Sequence, residues 1–118
     1  MILVDTSLWV EHLRHGHREL ASLLLKAEVV CHRFVIGELA CGLIRNRKEV
    51  LSLLRSLPSA AEADHDEVMD FMERNQLMEK GLGLIDIHLM ASAFLSGMPL
   101  WTLDSNLRRE SSRLGIVY

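Results

Sequence analysis

Ile2-Leu3-Val4-Asp5-Thr6-Ser7 is the first apolar run of the chain, and it stops abruptly on a carboxylate. Three consecutive apolar residues bounded by polar ones read as a short strand buried on both faces. Two explanations suit the acid that follows. Asp is a favoured helix N-cap, and the C-terminal edge of a parallel sheet is where open α/β proteins bind ligands. Asp5 alone does not decide between them.

Outward from this run, apolar stretches alternate with helical periodicity. A helix is expected from Ser7 through Leu13, broken at Gly16, and a second one carries Leu20, Leu23 and Leu24. Val29-Val30-Cys31 is β-branched and predicts a second strand. From Phe34 to Ile44 the apolar positions are dense enough to predict a largely buried helix, and another spans Lys48 to Leu57, ending near Pro58. Pro58 to Asp64 reads as a loop, with room for a short strand. Asp64 and Glu67 have capping-box spacing and announce a helix through about Met78. Gly81 and Gly83 mark the next break, before a helix from Asp86 to Ser96. A strand over Leu100 to Leu103 follows, Asp104-Ser105-Asn106 starts a turn or helix, and Ile116-Val117 closes the sheet. Strands alternating with helices predict an α/β fold, here a single domain over residues 1–118.

Composition narrows the class. The chain is 49% hydrophobic and 25% charged, as ordinary globular proteins are. Its longest uncharged apolar stretch, Leu89 to Trp101, is interrupted by Gly97 and Pro99 and falls short of the roughly 20 residues a bilayer requires. No membrane association and a cytoplasmic location are therefore expected. Cys31 and Cys41 are expected as buried small hydrophobes, not a disulfide framework. The net charge of −3 argues against a general nucleic-acid coat protein. Arg14 with Arg18, Arg45 with Arg47 and Lys48, and Arg108 with Arg109 and Arg113 still form basic clusters that either rim an acidic centre or face solvent.

Four acids stand out. Asp5, Asp86 and Asp104 each sit at an expected helix start, where capping and ligand binding are both open. Glu38 lies within a helix whose neighbours at three- and four-residue spacing are Phe34, Val35, Cys41 and Gly42. Buried there, it needs a cation or a donor; half-buried, it reaches solvent. Carboxylates that converge without a cation repel one another. A hard divalent ion such as Mg²⁺ prefers oxygen ligands and removes that conflict. It also polarises phosphoryl oxygens and activates water, which points to phosphodiester hydrolysis.

The four stretches ILVDTSLWV, VIGELACG, GLIDIHLMASAF and LWTLDSNL, in that order, resemble the acidic blocks of PIN domains, and most closely those of VapC-type toxins of type II toxin–antitoxin pairs. The resemblance covers nearly the whole chain. It implies a three-layer α/β/α fold with a central parallel sheet flanked by helices. It also implies a Mg²⁺- or Mn²⁺-dependent endoribonuclease whose products carry a 5′-phosphate and a 3′-hydroxyl. Position by position, the implied catalytic and metal-binding set is Asp5, Glu38, Asp86 and Asp104. Thr6 and Thr102 stand at hydroxyl positions that support the site. The implied partners are an RNA substrate, a cognate VapB-type antitoxin and, as is common in the family, a second copy of the chain. Phe34 to Leu57 is the candidate groove for a partner helix.

Other readings compete. A receiver-like phosphoacceptor also gathers acids at strand ends, but it wants paired acids near Asp5 and a Lys after the last long strand. Only Lys26, Lys48 and Lys80 are present. A non-enzymatic α/β binding module would leave the acids as caps. His12, His15 and His17 lie close together without the paired cysteines of a zinc finger. Trp9 and Trp101 flank two acidic blocks and either stack bases or fill the core.

Overall fold

The structure is a computed structural model that describes residues 1–118. Its centre is a parallel sheet of β1 (Ile2–Val4), β2 (Val29–Val30) and β3 (Leu100–Trp101), ordered β2-β1-β3. Register pairs Leu3 with Val30 on one side and with Leu100 on the other. Single parallel bridges, Cys31 with Ser59 and Leu100 with Val117, widen the sheet at each edge. The expected closing segment at Ile116-Val117 is therefore present as one bridge, and the Pro58–Asp64 loop contributes another.

Every residue of β1 is buried, with Leu3 and Val4 fully so. A strand without an exposed face must be covered on both sides, which is the physical basis of the three-layer α/β/α arrangement. The covering helices are α1 (Thr6–His15), α2 (Arg18–Leu25), α3 (Arg33–Ala40), α4 (Arg47–Ser56), α5 (His65–Arg74), α6 (Leu84–Ser96) and α7 (Ser105–Arg113). They pack in groups: α1 on α2 and α3, α3 on α4, and α5 on α6, which lies against β3. In such crossovers helices run back against the strands, so their N-termini collect at the carboxyl edge of the sheet. No helix is long and apolar enough to cross a membrane.

Several boundaries differ from the sequence reading. The capping box at α5 forms as expected, with Asp64 accepting from the Glu67 amide and Glu67 accepting from the Asp64 amide. The helix stops at Arg74, however, because Gln76 takes a left-handed backbone conformation (φ 52°). Helix α3 ends at Ala40, four residues before Ile44, and buries only Val35 and Leu39. Cys41 is exposed, contrary to expectation, whereas Cys31 is buried. Leu43 carries full exposure. The apolar density that read as a buried helix is thus partly an unpartnered surface.

Candidate active site at the sheet edge

Asp5 occupies the N-cap position of α1, yet its side chain makes no cap bond. Its Oδ2 instead accepts two hydroxyl hydrogens, from Ser7 Oγ at 2.8 Å and Thr102 Oγ1 at 2.7 Å. Each hydroxyl has one hydrogen to give. With both committed to Asp5, the 3.3 Å approach of Ser7 Oγ to Thr102 Oγ1 is a contact between neighbours, not a further bond. The hydroxyl oxygens in turn accept amides, Ser7 from Leu103 and Thr102 from Asp104. The start of α1 and the end of β3 are thereby tied together through one carboxylate oxygen. Asp5 and Thr102 are 5% and 4% exposed, so the bonds lie out of reach of competing bulk water.

Asp104 does cap: its Oδ1 accepts from the Leu107 amide at 2.9 Å and starts α7. Asp86 is not the cap of α6, because the helix begins earlier, at Leu84 with Gly83 as N-cap. Asp86 is the third helical residue and reaches back, its Oδ2 accepting the Gly83 amide at 2.9 Å. Gly83 has no side chain, so only this half of a capping box exists. Glu38 is exposed on α3, which corrects the buried reading, and its Oε1 accepts from Thr6 Oγ1 at 2.7 Å. Thr6 therefore supports Glu38, and Thr102 supports Asp5.

The electrostatics link all four acids. The Asp86 carboxyl sits above the usual aspartate range, first because it is partly buried and then because Asp5, Asp104 and Glu38 add negative charge around it; the Gly83 amide only offsets this. None of the four forms an ion pair with Arg, Lys or His. Each gives one oxygen to a protein donor and leaves the other without one. No three His, Cys, Asp or Glu side chains stand close enough together to chelate a cation as they are. The donor set still suits a hard divalent ion in its chemistry, being all oxygen, net negative and half-satisfied, and Mg²⁺ commonly binds through one or two carboxylates and its own waters.

Ser7 escaped the sequence reading. The signal lay in the Asp5-Thr6-Ser7 spacing, since a hydroxyl two residues after an Asp is placed to bond back to it. Trp9 is buried, 3% exposed, and belongs to the core. Trp101 stacks edge-on against His17 and tilts against Tyr118, so both tryptophans are engaged within the protein.

Comparison with known proteins agrees with this architecture. The PIN domain family model matches residues 2–111. Ribonuclease VapC32 of Mycobacterium tuberculosis, in strains CDC 1551 / Oshkosh and ATCC 25618 / H37Rv, is 44% identical over 118 residues, covering 99% of this chain and 95% of that protein. Among solved structures, FitAcB from Neisseria gonorrhoeae superposes with a TM-score of 0.60 at 20% identity, covering 95% of this chain and 94% of that one. That likeness speaks for the fold, and the family match and the 44% identity speak for descent. A buried parallel strand ending on Asp5, three further acids around it and a match along almost the full chain lead to one assignment: the protein belongs to the PIN domain family, close to the VapC ribonucleases.

Proposed function

We propose that the protein is a divalent-cation-dependent endoribonuclease and the toxin of a VapBC-type toxin–antitoxin pair. The observation that carries this reading is the set of four acids that share one electrostatic field, have no cationic partner and each keep one oxygen without a protein donor. Its resemblance in sequence to a protein named a ribonuclease supplies the substrate class.

Asp5, Asp86 and Asp104 would hold Mg²⁺ or Mn²⁺ directly or through its waters, and Glu38 would bind the ion or orient the attacking water. When bound, the cation supplies charge stabilisation to the scissile phosphate. The chain's own part is preorganisation. Ser7 and Thr102 fix the Asp5 oxygen that faces the protein, so its other oxygen is presented in one orientation. Thr6 does the same for Glu38 from the first residue of α1. The helix starts of α1 and α7 and the second turn of α3 thus aim the acids from a rigid frame. Water attacks phosphorus, the bond from phosphorus to the 3′-oxygen breaks, and the strand ends are a 5′-phosphate and a 3′-hydroxyl.

A groove of about 500 Å³ adjoins Thr6 and Glu38; Val10, Leu13, Leu39, Leu43 and Ile44 form its apolar wall, and Arg14, His15 and Arg45 line it as well. It lies within reach of the acids and carries the exposed apolar surface that follows α3, which suits an apolar antitoxin segment covering the site. Induced expression followed by mapping of new 5′ ends in cellular RNA tests the activity, with Asp5→Asn as the control. Discrete cuts confined to the unsubstituted protein are expected; cuts that persist in Asp5→Asn, or in excess EDTA, overturn it. Co-purification of a small neighbouring-gene product that suppresses cleavage tests the pairing, and isolation of the active chain alone in every preparation refutes it.

A further inference from the structure

One solvent-shielded carboxylate of the protein is not used by the proposed reaction. Glu110 on α7 is 4% exposed, and it takes two arginines: Arg109 Nε at 3.0 Å and Arg113 Nε at 2.9 Å. Held in this way, each guanidinium group also directs an N–H group into one loop, and Arg109 gives a further one to Asn106 on α7 itself. Arg109 donates to the Lys80 carbonyl at 3.1 Å and to Asn106 Oδ1 at 3.2 Å, and Arg113 donates to the Asn75 carbonyl at 2.7 Å. Asn106 in turn donates to the Gly81 carbonyl at 3.4 Å.

The loop so gripped runs from Asn75 to Gly83 and contains Gln76 (φ 52°), Glu79 (φ 58°) and Gly81 (φ 74°) in the left-handed region. Two non-glycine residues held there cost about 1 kcal/mol or more each, so the loop does not keep this shape unaided. At Gly81 a Cβ would run into the Asn106 side chain, which shows how closely α7 lies against it. The loop ends at Gly83, whose amide holds the Asp86 carboxylate. The same helix, α7, begins on Asp104. One element therefore carries one acid at its start and grips, along its exposed face, the loop that orients another.

We propose that Glu110 is a positioning residue for Asp86, acting through Arg109 and Asn106 on the Asn75–Gly83 loop so that Asp86 and Asp104 are held in fixed relation. This inference rests on the reading of Asp86 as a cation-binding acid. A carboxylate that only stabilised α7 would need neither the buried pairing nor the arginine donors spent on loop carbonyls. Outer partners of ligating carboxylates are worth about 10- to 100-fold in metal affinity.

The test uses the intact protein, Mn²⁺ alone as the probe and the free-ion EPR signal as the readout of binding. Thermal unfolding and amide exchange over residues 75–83 are measured beside it. Glu110→Gln, Arg109→Lys and Asn106→Ala are expected to weaken Mn²⁺ binding by up to about 10-fold, the lower end of what a direct outer partner contributes, and to speed exchange in the loop. Placed on top of Asp86→Asn, the same changes should cost no further affinity. Should Glu110→Gln fail to fold, the other two substitutions carry the test. A lowered melting temperature with unchanged Mn²⁺ affinity in the folded variants overturns the positioning role. Mn²⁺ binding undiminished by Asp86→Asn overturns the reading of Asp86 itself, a separate failure.

Discussion

Thr102 donates its hydroxyl to Asp5 at 2.7 Å across 97 positions of sequence, and both side chains are buried. A buried carboxylate stripped of such a donor loses a charge-assisted bond worth about 1.5–3 kcal/mol. Thr102→Val, which keeps the shape and removes the hydroxyl, should therefore destabilise the protein by about that amount and abolish most RNA cleavage. Thr102→Ser should restore both. Chemical denaturation and a cleavage assay on the three proteins check this, and a Thr102→Val protein with full activity contradicts the arrangement.

Ser7 is expected to matter although it is neither an acid nor next to one in sequence. Ser7→Ala removes a donor to Asp5 and an acceptor from the Leu103 amide together. The cost should be about 1–3 kcal/mol of stability, with cleavage reduced more than in Ser105→Ala, whose side chain makes none of these bonds.

Asp104 has two separable properties, its cap bond and its charge. Asn caps a helix about as well as Asp. Asp104→Asn should leave stability nearly unchanged and suppress cleavage, whereas Asp104→Ala should suppress cleavage and also lose about 1 kcal/mol from the missing cap. Equal melting temperatures for the two variants would show that the bond to Leu107 contributes nothing.

Stability and function should oppose each other at Asp86. Its folded pKa lies above the unfolded one, so the folded state binds the extra proton and unfolding becomes easier as pH rises through that interval. At neutral pH the ionised side chain is a burden on the fold. Asp86→Asn, which can still accept the Gly83 amide, should raise the melting temperature at pH 7 while losing cleavage, and the gain should vanish under acid. Glu110 has the opposite sign: its two arginines hold its pKa below the ordinary glutamate value, so its stabilisation is present above that value and disappears as pH falls through the depressed one. Unfolding curves of Asp86→Asn and Glu110→Gln against pH should diverge from the unsubstituted protein in opposite directions at neutrality.

Thiol labelling gives a simple check of the surface. Burial pushes the Cys31 thiol up to about 11, and Cys41 is exposed. Alkylation of the native protein should modify Cys41 alone, with Cys31 reacting only after unfolding.

Features set by near neighbours in sequence were readable from it. Ile2–Val4 as a strand, the Asp64–Glu67 capping box and the Asp104 cap each depend on residues within one helical turn. What escaped was long-range. That Asp5 would bond hydroxyls and not its own helix depends on Thr102, which only the β1–β3 register brings alongside. The early end of α3 was hidden because Leu43 is apolar yet fully exposed and Ile44 packs against the core from outside the helix, and periodicity registers apolarity, not what covers it. The four candidate acids were singled out by their place after strands or on helices and by the resemblance to PIN domains. Ser7 and the Glu110 grip were not, since their importance lies in bonds that no spacing rule encodes.

The order of strands bears on how such a protein is made. β1 lies in the middle of the sheet, but it must wait for its β3 neighbour, and Thr102 is synthesised 97 positions after Asp5. Pairings this distant must wait for the intervening chain. Until then Asp5 lacks one of its hydroxyl donors, and Asp104 has not been added. A chain from which Thr102 and Asp104 have not yet emerged therefore cannot bring the four acids together, whatever the state of its first strand.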